Sequence, residues 1–131
     1  MEMDIRGFVA VAMIFCHIVD DYYLQGILAN LKQKSWWQEH YPDDFYKGDF
    51  IIALIMHAMS WSFMITLPII LINWGGIINW DYYCICFFMN TIIHAVVDHL
   101  KANKKVINLT IDQVIHFGQI FMTLMIMCFT N

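Results

Sequence analysis

The stretch NTIIHAVVDHLK, residues 90–101, decides how this chain folds. Asn90, His94, Asp98 and Lys101 recur at spacings of four, four and three, so on a helix they share one face while most intervening positions are apolar. This stripe lies in an apolar block of about residues 80–100. Three similar blocks accompany it, at about 7–30, 50–72 and 111–129. Each is close to the ~20 residues a helix needs to cross a bilayer core. The pattern predicts a single all-α membrane domain over residues 1–131. It would be a multi-pass, four-transmembrane-helix bundle with a short interfacial connector helix or lid.

Composition agrees with that reading. Hydrophobic residues make up 60% of the chain and charged ones 14%, with a mean hydropathy of +0.58, against roughly a quarter charged in soluble domains. A net charge of −4 and seven scattered basic residues argue against binding to a nucleic-acid duplex. Nucleotide-driven transport, serine hydrolysis and dinucleotide chemistry lack their P-loop, G-x-S-x-G and G-x-G-x-x-G signatures. Cys16, Cys84, Cys86 and Cys128 lie inside apolar blocks without a C-x-x-C pair, which reads as buried, reduced, bilayer-facing or core residues. Glu2 and Asp4 replace the basic start of a signal peptide, so the first block is expected to be retained.

The first connector, residues 31–49, carries Trp36, Trp37, Tyr41 and Tyr46, which suit the headgroup interface. Asn73, Gly75, Gly76 and Asn79 mark a tight second connector, and residues 102–108 form a third that leads to Thr110 as a candidate helix cap. Lys32, Lys34 and Lys47 in the first connector and Lys101, Lys104 and Lys105 at the third fall on one side, with only Arg6 opposite. The positive-inside rule then makes both connectors cytoplasmic and both termini external, in a cell inner (plasma) membrane.

The other blocks carry stripes of their own: His17, Asp21 and Gln25; His57 with Ser60 and Trp61; Asp112, His116 and Gln119. Because neighbouring spans run in opposite directions, these groups meet the Asn90–Lys101 stripe at one depth, in the cytoplasmic half. Ionisable groups at that depth are costly unless paired or liganded. Imidazole and carboxylate together are a standard ligand set for zinc, manganese or iron, and a pair at i and i+4 can grip one ion. His17 with Asp21, His94 with Asp98, and Asp112 with His116 are such pairs, and His57 is a seventh potential ligand. Seven ligands suit one or two divalent ions, zinc foremost, with Gln25, Lys34, Asn90 and Gln113 orienting them or meeting substrate. The plainer alternative is interhelical hydrogen bonding. Asp20 and His99 stand off the stripes and read as structural or orienting, His40 as solvated, and residues 121–129 as lipid-facing or packing surface.

The motifs H-x-x-x-D-x-x-L-Q (His17 to Gln25), H-A-x-x-D-x-x-K (His94 to Lys101) and D-Q-x-x-H (Asp112 to His116) resemble a family of small bacterial and phage inner-membrane proteins of unknown function. That family is itself similar to the predicted membrane-bound metal-dependent hydrolases. More distantly it resembles zinc-dependent phospholipase C and its related single-strand nucleases. The resemblance implies phosphoester hydrolysis, on a phospholipid, an isoprenoid phosphate or a nucleotide, with His17, Asp21, His57, His94, Asp98, Asp112 and His116 as metal positions. The soluble relatives also use an N-terminal Trp as a ligand, for which this sequence has no counterpart. In such a mechanism Asp98 or Asp21 would act as base, and Lys101 or Lys34 would stabilise developing negative charge. The rival expectation is a non-enzymatic membrane protein that binds a membrane-protein partner or passes protons or metal ions. A homodimer is compatible with either, and no small-x-x-x-small run locates its interface.

The orientation is directly testable. Lys104→Cys in sealed inner-membrane vesicles should react with a membrane-impermeant maleimide only from the cytoplasmic face, and labelling from the opposite face would invert the assignment.

Overall fold

A computed structural model of the chain describes residues 5–72 and 78–129, all helices and short links with no strand among the described residues. Asn73, Gly75 and Gly76 of the expected second connector lie outside them. Helix α1 (Ile5–Ile18) runs into a π-helical turn (Val19–Leu24). Two short helices, α2 (Leu28–Leu31) and α3 (Lys34–His40), and a 3-10 turn (Asp44–Tyr46) form the first connector. Helix α4 (Asp49–Ile72) follows, then α5 (Trp80–His99) with a second π-helical turn (Leu100–Lys104), and finally α6 (Leu109–Phe129). Four helical segments, Ile5–Leu24, Asp44–Ile72, Trp80–Lys104 and Leu109–Cys128, are long and apolar enough to cross a membrane.

The first span stops short of the expected residue 30. Gly26 adopts a left-handed backbone, φ +49°, which only glycine reaches without strain. The Gln25 side-chain amide donates to the carbonyl of Asp21 one turn back, so the helix end is closed by its own polar residue. The third span runs on to Lys104, past the expected residue 100. Asn79 caps α5 by accepting from the amides of Asp81 and Tyr82. At the start of α6 the cap is Asn108, whose Oδ1 accepts from the Ile111 amide at 3.0 Å. Thr110 was the expected cap, but it lies within the first turn, where its hydroxyl cannot reach forward to free amides.

Helices α1, α4, α5 and α6 pack in a ring, each against the next, with α6 closing on α1. The outward surface is covered with large apolar side chains such as Phe15, Met56, Phe88, Ile92, Phe121 and Met122, as lipid contact requires. Inside, Val9, Met13, Ile65, Ile69, Cys86, Ile120 and Met127 form an apolar plug in the half of the bundle away from the connector. Residues 121–128 therefore divide, with Phe121, Met122 and Met125 outside and Thr123 and Met127 inside. Pro68 sits buried within α4, and the Thr66 hydroxyl donates to the Ser62 and Phe63 carbonyls just before it. The proline lacks the amide that would bond the Met64 carbonyl one turn back, a group these hydroxyl bonds do not reach.

Replacing Gly26 forces a Cβ into the left-handed region. Gly26→Ala should cost about 1–2 kcal/mol, read as a lowered melting temperature in detergent. An unchanged melting curve would show that the turn does not depend on glycine there.

Candidate metal centre

The polar stripes converge as a single buried layer. His17, Asp20, Asp21, His57, His94, Asp98, Asp112 and His116 are all buried. Trp61 organises them from the centre of the bundle. Its indole Nε1–H donates to His17 Nδ1 at 2.8 Å, and its ring stacks on His94, centroids 4.3 Å apart. His94 in turn stacks on His116 at 4.2 Å. Three flat rings from α4, α5 and α6 thus fix the distances between those helices at this depth.

Two groups of three residues could each hold a metal ion: Asp21, His57 and His94, and His94, Asp98 and His116. In the first, His57 Nε2 and His94 Nε2 stand 3.2 Å apart, and Asp21 Oδ1 lies 3.3 Å from the former and 3.7 Å from the latter. Asp98 Oδ2 approaches the same two nitrogens to 3.4 and 3.9 Å. Ligands ~2.0–2.1 Å from a tetrahedral zinc ion are about 3.3–3.4 Å from one another. The contacts to His57 fall at or near that spacing, and those from His94 to the two carboxylates are a few tenths of an ångström wider. The His57–His94 contact is also at hydrogen-bond distance. In the second group His94 Nδ1 and His116 Nε2 have no hydrogen-bond partner, and nor has Asp112 Oδ1, 3.4 Å from His116 Nε2. Buried polar atoms left bare in this way are costly unless something binds them.

The imidazoles also have the outer partners that metal-binding histidines use. His116 Nδ1 meets Gln119 Oε1 at 3.1 Å, leaving Nε2 facing the layer. Gln119 is held by donating to Asn90, whose amide donates to Thr123. Asn90 thus orients a ligand at one remove. His57 Nδ1 faces Asp20 Oδ2 across 3.9 Å, and Asp20 Oδ1 accepts from the Ser60 hydroxyl at 2.7 Å. Gln113 joins His17 Nε2 at 3.0 Å to Asp112 Oδ2 at 3.1 Å.

His17 differs from the other three. With Nδ1 accepting from Trp61 and Nε2 bonded to Gln113, both ring nitrogens are occupied. It lies in the layer, 3.5 Å from Asp21 Oδ2, but offers no free atom. Gln25 turns back onto its own helix and does not meet the cluster through its amide nitrogen. Lys34 is exposed, and only its backbone amide is tied in, to Asn103 Oδ1 at 2.6 Å.

The ammonium that enters the site is instead that of Lys32, buried and 2.6 Å from Asp98 Oδ2. Lys101 pairs with Asp112 Oδ2 at 2.6 Å and lies 3.9 Å from Asp98 Oδ1. Lys32 read as a topology determinant in the sequence, where nothing linked it to Asp98. The signal available was the excess of carboxylates in the spans, which demanded a second cation near a span end. Asp20 joins the layer as well: it stands three residues after His17 and seven after Met13, on the same inward face of the helix. The turn it belongs to is π-helical, the Gln25 amide bonding the Asp20 carbonyl at 3.1 Å, five residues back. His99 stacks on Phe50, and exposed His40 stacks on Trp36.

Comparison of the chain with protein-family models, with curated proteins and with solved structures finds no match in any of the three.

Gln119→Leu keeps the volume but leaves His116 Nδ1 without its acceptor. It should weaken zinc binding about 10–100-fold, measured by competition with a chelating indicator. Unchanged affinity would remove His116 from the ligand set.

Proposed function

We propose that this chain is a membrane-embedded, metal-dependent hydrolase of phosphoesters whose site lies toward the connector side, which faces the cytoplasm of an inner membrane. One observation carries the reading. Among the described residues, four buried carboxylates, those of Asp20, Asp21, Asp98 and Asp112, are met by two ammonium groups, those of Lys32 and Lys101. With neutral imidazoles the layer is short of two positive charges, the charge of one divalent ion, and buried charge must be compensated. The imidazole and carboxylate donors favour zinc, with manganese or iron as alternatives. The resemblance of the three motifs to predicted membrane-bound metal-dependent hydrolases supports the same assignment.

A metal ion held there supplies Lewis acidity and a nucleophile from water at neutral pH. The chain's own residues do the rest. Asp21, His57 and His94, or His94, Asp98 and His116, would hold the ion, and whichever of Asp98 and Asp21 is left outside the ligand set would take a proton beside it. Lys101, part-exposed at the connector end of the layer, receives the phosphate and offsets the charge that develops as the ester breaks. The apolar plug beyond Trp61 closes the opposite direction, so substrate arrives from the connector side or laterally from lipid. A phospholipid or an isoprenoid phosphate suits that approach, and a nucleotide suits the aqueous side.

A second reading rests on the Lys32–Asp98 and Lys101–Asp112 pairs, which already neutralise half of the carboxylates. Two protonated imidazoles would complete the balance without metal, in a protein that acts by binding a membrane partner.

Metal content separates the two. Detergent-purified wild type should carry near-stoichiometric zinc by mass spectrometry, and His94→Ala should lose it. Turnover of a generic phosphomonoester should fall in that variant by about 100-fold or more, beyond the ~10–100-fold cost of losing an outer partner. Folded, metal-free wild type would support the partner-binding reading.

A further inference from the structure

We propose that residues 25–49 form a lid whose Lys32 ammonium serves as the internal counter-cation of the site and withdraws from Asp98 when a divalent cation binds. The proposal rests on the metal-binding reading above and adds how the site loads.

The first ground is placement. Lys32 Nζ sits 2.6 Å from Asp98 Oδ2, and that same oxygen lies 3.4 Å from His57 Nε2 and 3.9 Å from His94 Nε2. The ammonium therefore rests against an edge of the cluster that an ion would fill. Two cations on one carboxylate oxygen repel, and Asp98 cannot serve both fully.

The second ground is that Lys32 does not belong to a span. It terminates the short helix α2, outside the ring of four long helices. Its carrier is a compact unit: Trp37 Nε1 donates to the Leu31 carbonyl at 2.6 Å, tying α3 to α2. Left-handed Gly26 joins this unit to the first span and provides its pivot. Besides the Lys32–Asp98 pair, the unit is tied to the turn that follows α5 by Asn103, and α2 and α3 also rest against α4. Asn103 Nδ2 donates to the Lys32 carbonyl at 3.0 Å, and its Oδ1 accepts from the Lys34 amide at 2.6 Å. Asn103 itself stands on the π-helical turn that follows Asp98 and Lys101. A lysine stem is long enough to carry its charge back toward water with little backbone movement.

The third ground is direction. The apolar plug blocks the far half of the bundle, so an ion reaching the layer passes the connector. The buried ammonium covers that approach.

Two readouts test this with zinc as the probe. In wild-type protein, Lys32 should resist a water-soluble amine-acylating reagent without zinc and become reactive when zinc is bound, while exposed Lys34 and Lys47 react equally in both states. Lys32→Met should bind zinc at least tenfold more tightly, because the competing charge is gone, with helicity by circular dichroism confirming its fold. A Lys32 that stays protected with zinc bound, or a folded Lys32→Met that binds no more tightly, overturns the lid while leaving the metal site standing. Failure of both proteins to bind zinc overturns the metal reading and the lid together. Should Lys32→Met not fold, the labelling of wild type decides.

Discussion

A carboxylate in the interior of a helical bundle is costly unless its charge is answered, and this bundle holds four at one depth. Much of the architecture is a response to them. Lys32 is drawn in from the connector and Lys101 from the end of α5. The Ser60 hydroxyl donates to Asp20 Oδ1, and the Gln113 amide shares Asp112 Oδ2 with Lys101. Aromatic packing keeps the layer from collapsing or filling with solvent. Trp61 and the stacked rings of His94 and His116 occupy the middle of the bundle with rigid, flat groups that have fixed hydrogen-bonding edges.

The two halves of the membrane-spanning region consequently differ in kind. Away from the connector, the interior is aliphatic and sulfur-bearing, packed as any apolar core is. Toward the connector it is a charged, hydrogen-bonded layer whose members come from all four spans. Asn90, Thr91, Ser62, Gln119 and Thr123 mediate between the halves with neutral polar bonds, Thr91 to Ser62 and Asn90 to both Thr123 and Gln119. Polarity is thus graded along the bundle axis, and the strongest charges lie nearest to water.

Much of this was legible in the sequence because helical periodicity is regular. The four spans and the convergence of the His and Asp stripes follow from counting in steps of three and four, and those residues are all found together. What escaped the count broke its assumptions. Asp20, three residues after His17 and seven after Met13, faces inward as a step of three also allows, where its stripe was counted in fours. Lys32 enters the site through a tertiary fold of the connector, and Lys34, two positions away, offers the same chemistry on paper while pointing elsewhere. His17 was legible as a member of the layer but not as a residue with both nitrogens engaged, since its partner Trp61 lies on another helix. The caps show the same limit on a smaller scale, with Asn108 doing what Thr110, two residues on, was expected to do.

The two π-helical turns, one that contains Asp20 and Asp21 and one that follows the helix carrying Asp98, lie at the connector end of the bundle. Each holds one residue more than an α-helical turn needs. The site is therefore written partly in chain length. Losing a single residue from either turn would restore a regular helix and swing the following side chains around the axis, with every ligand type still present in the sequence. A residue lost from the first turn would shift how the connector and Lys32 meet the layer while leaving every histidine in place.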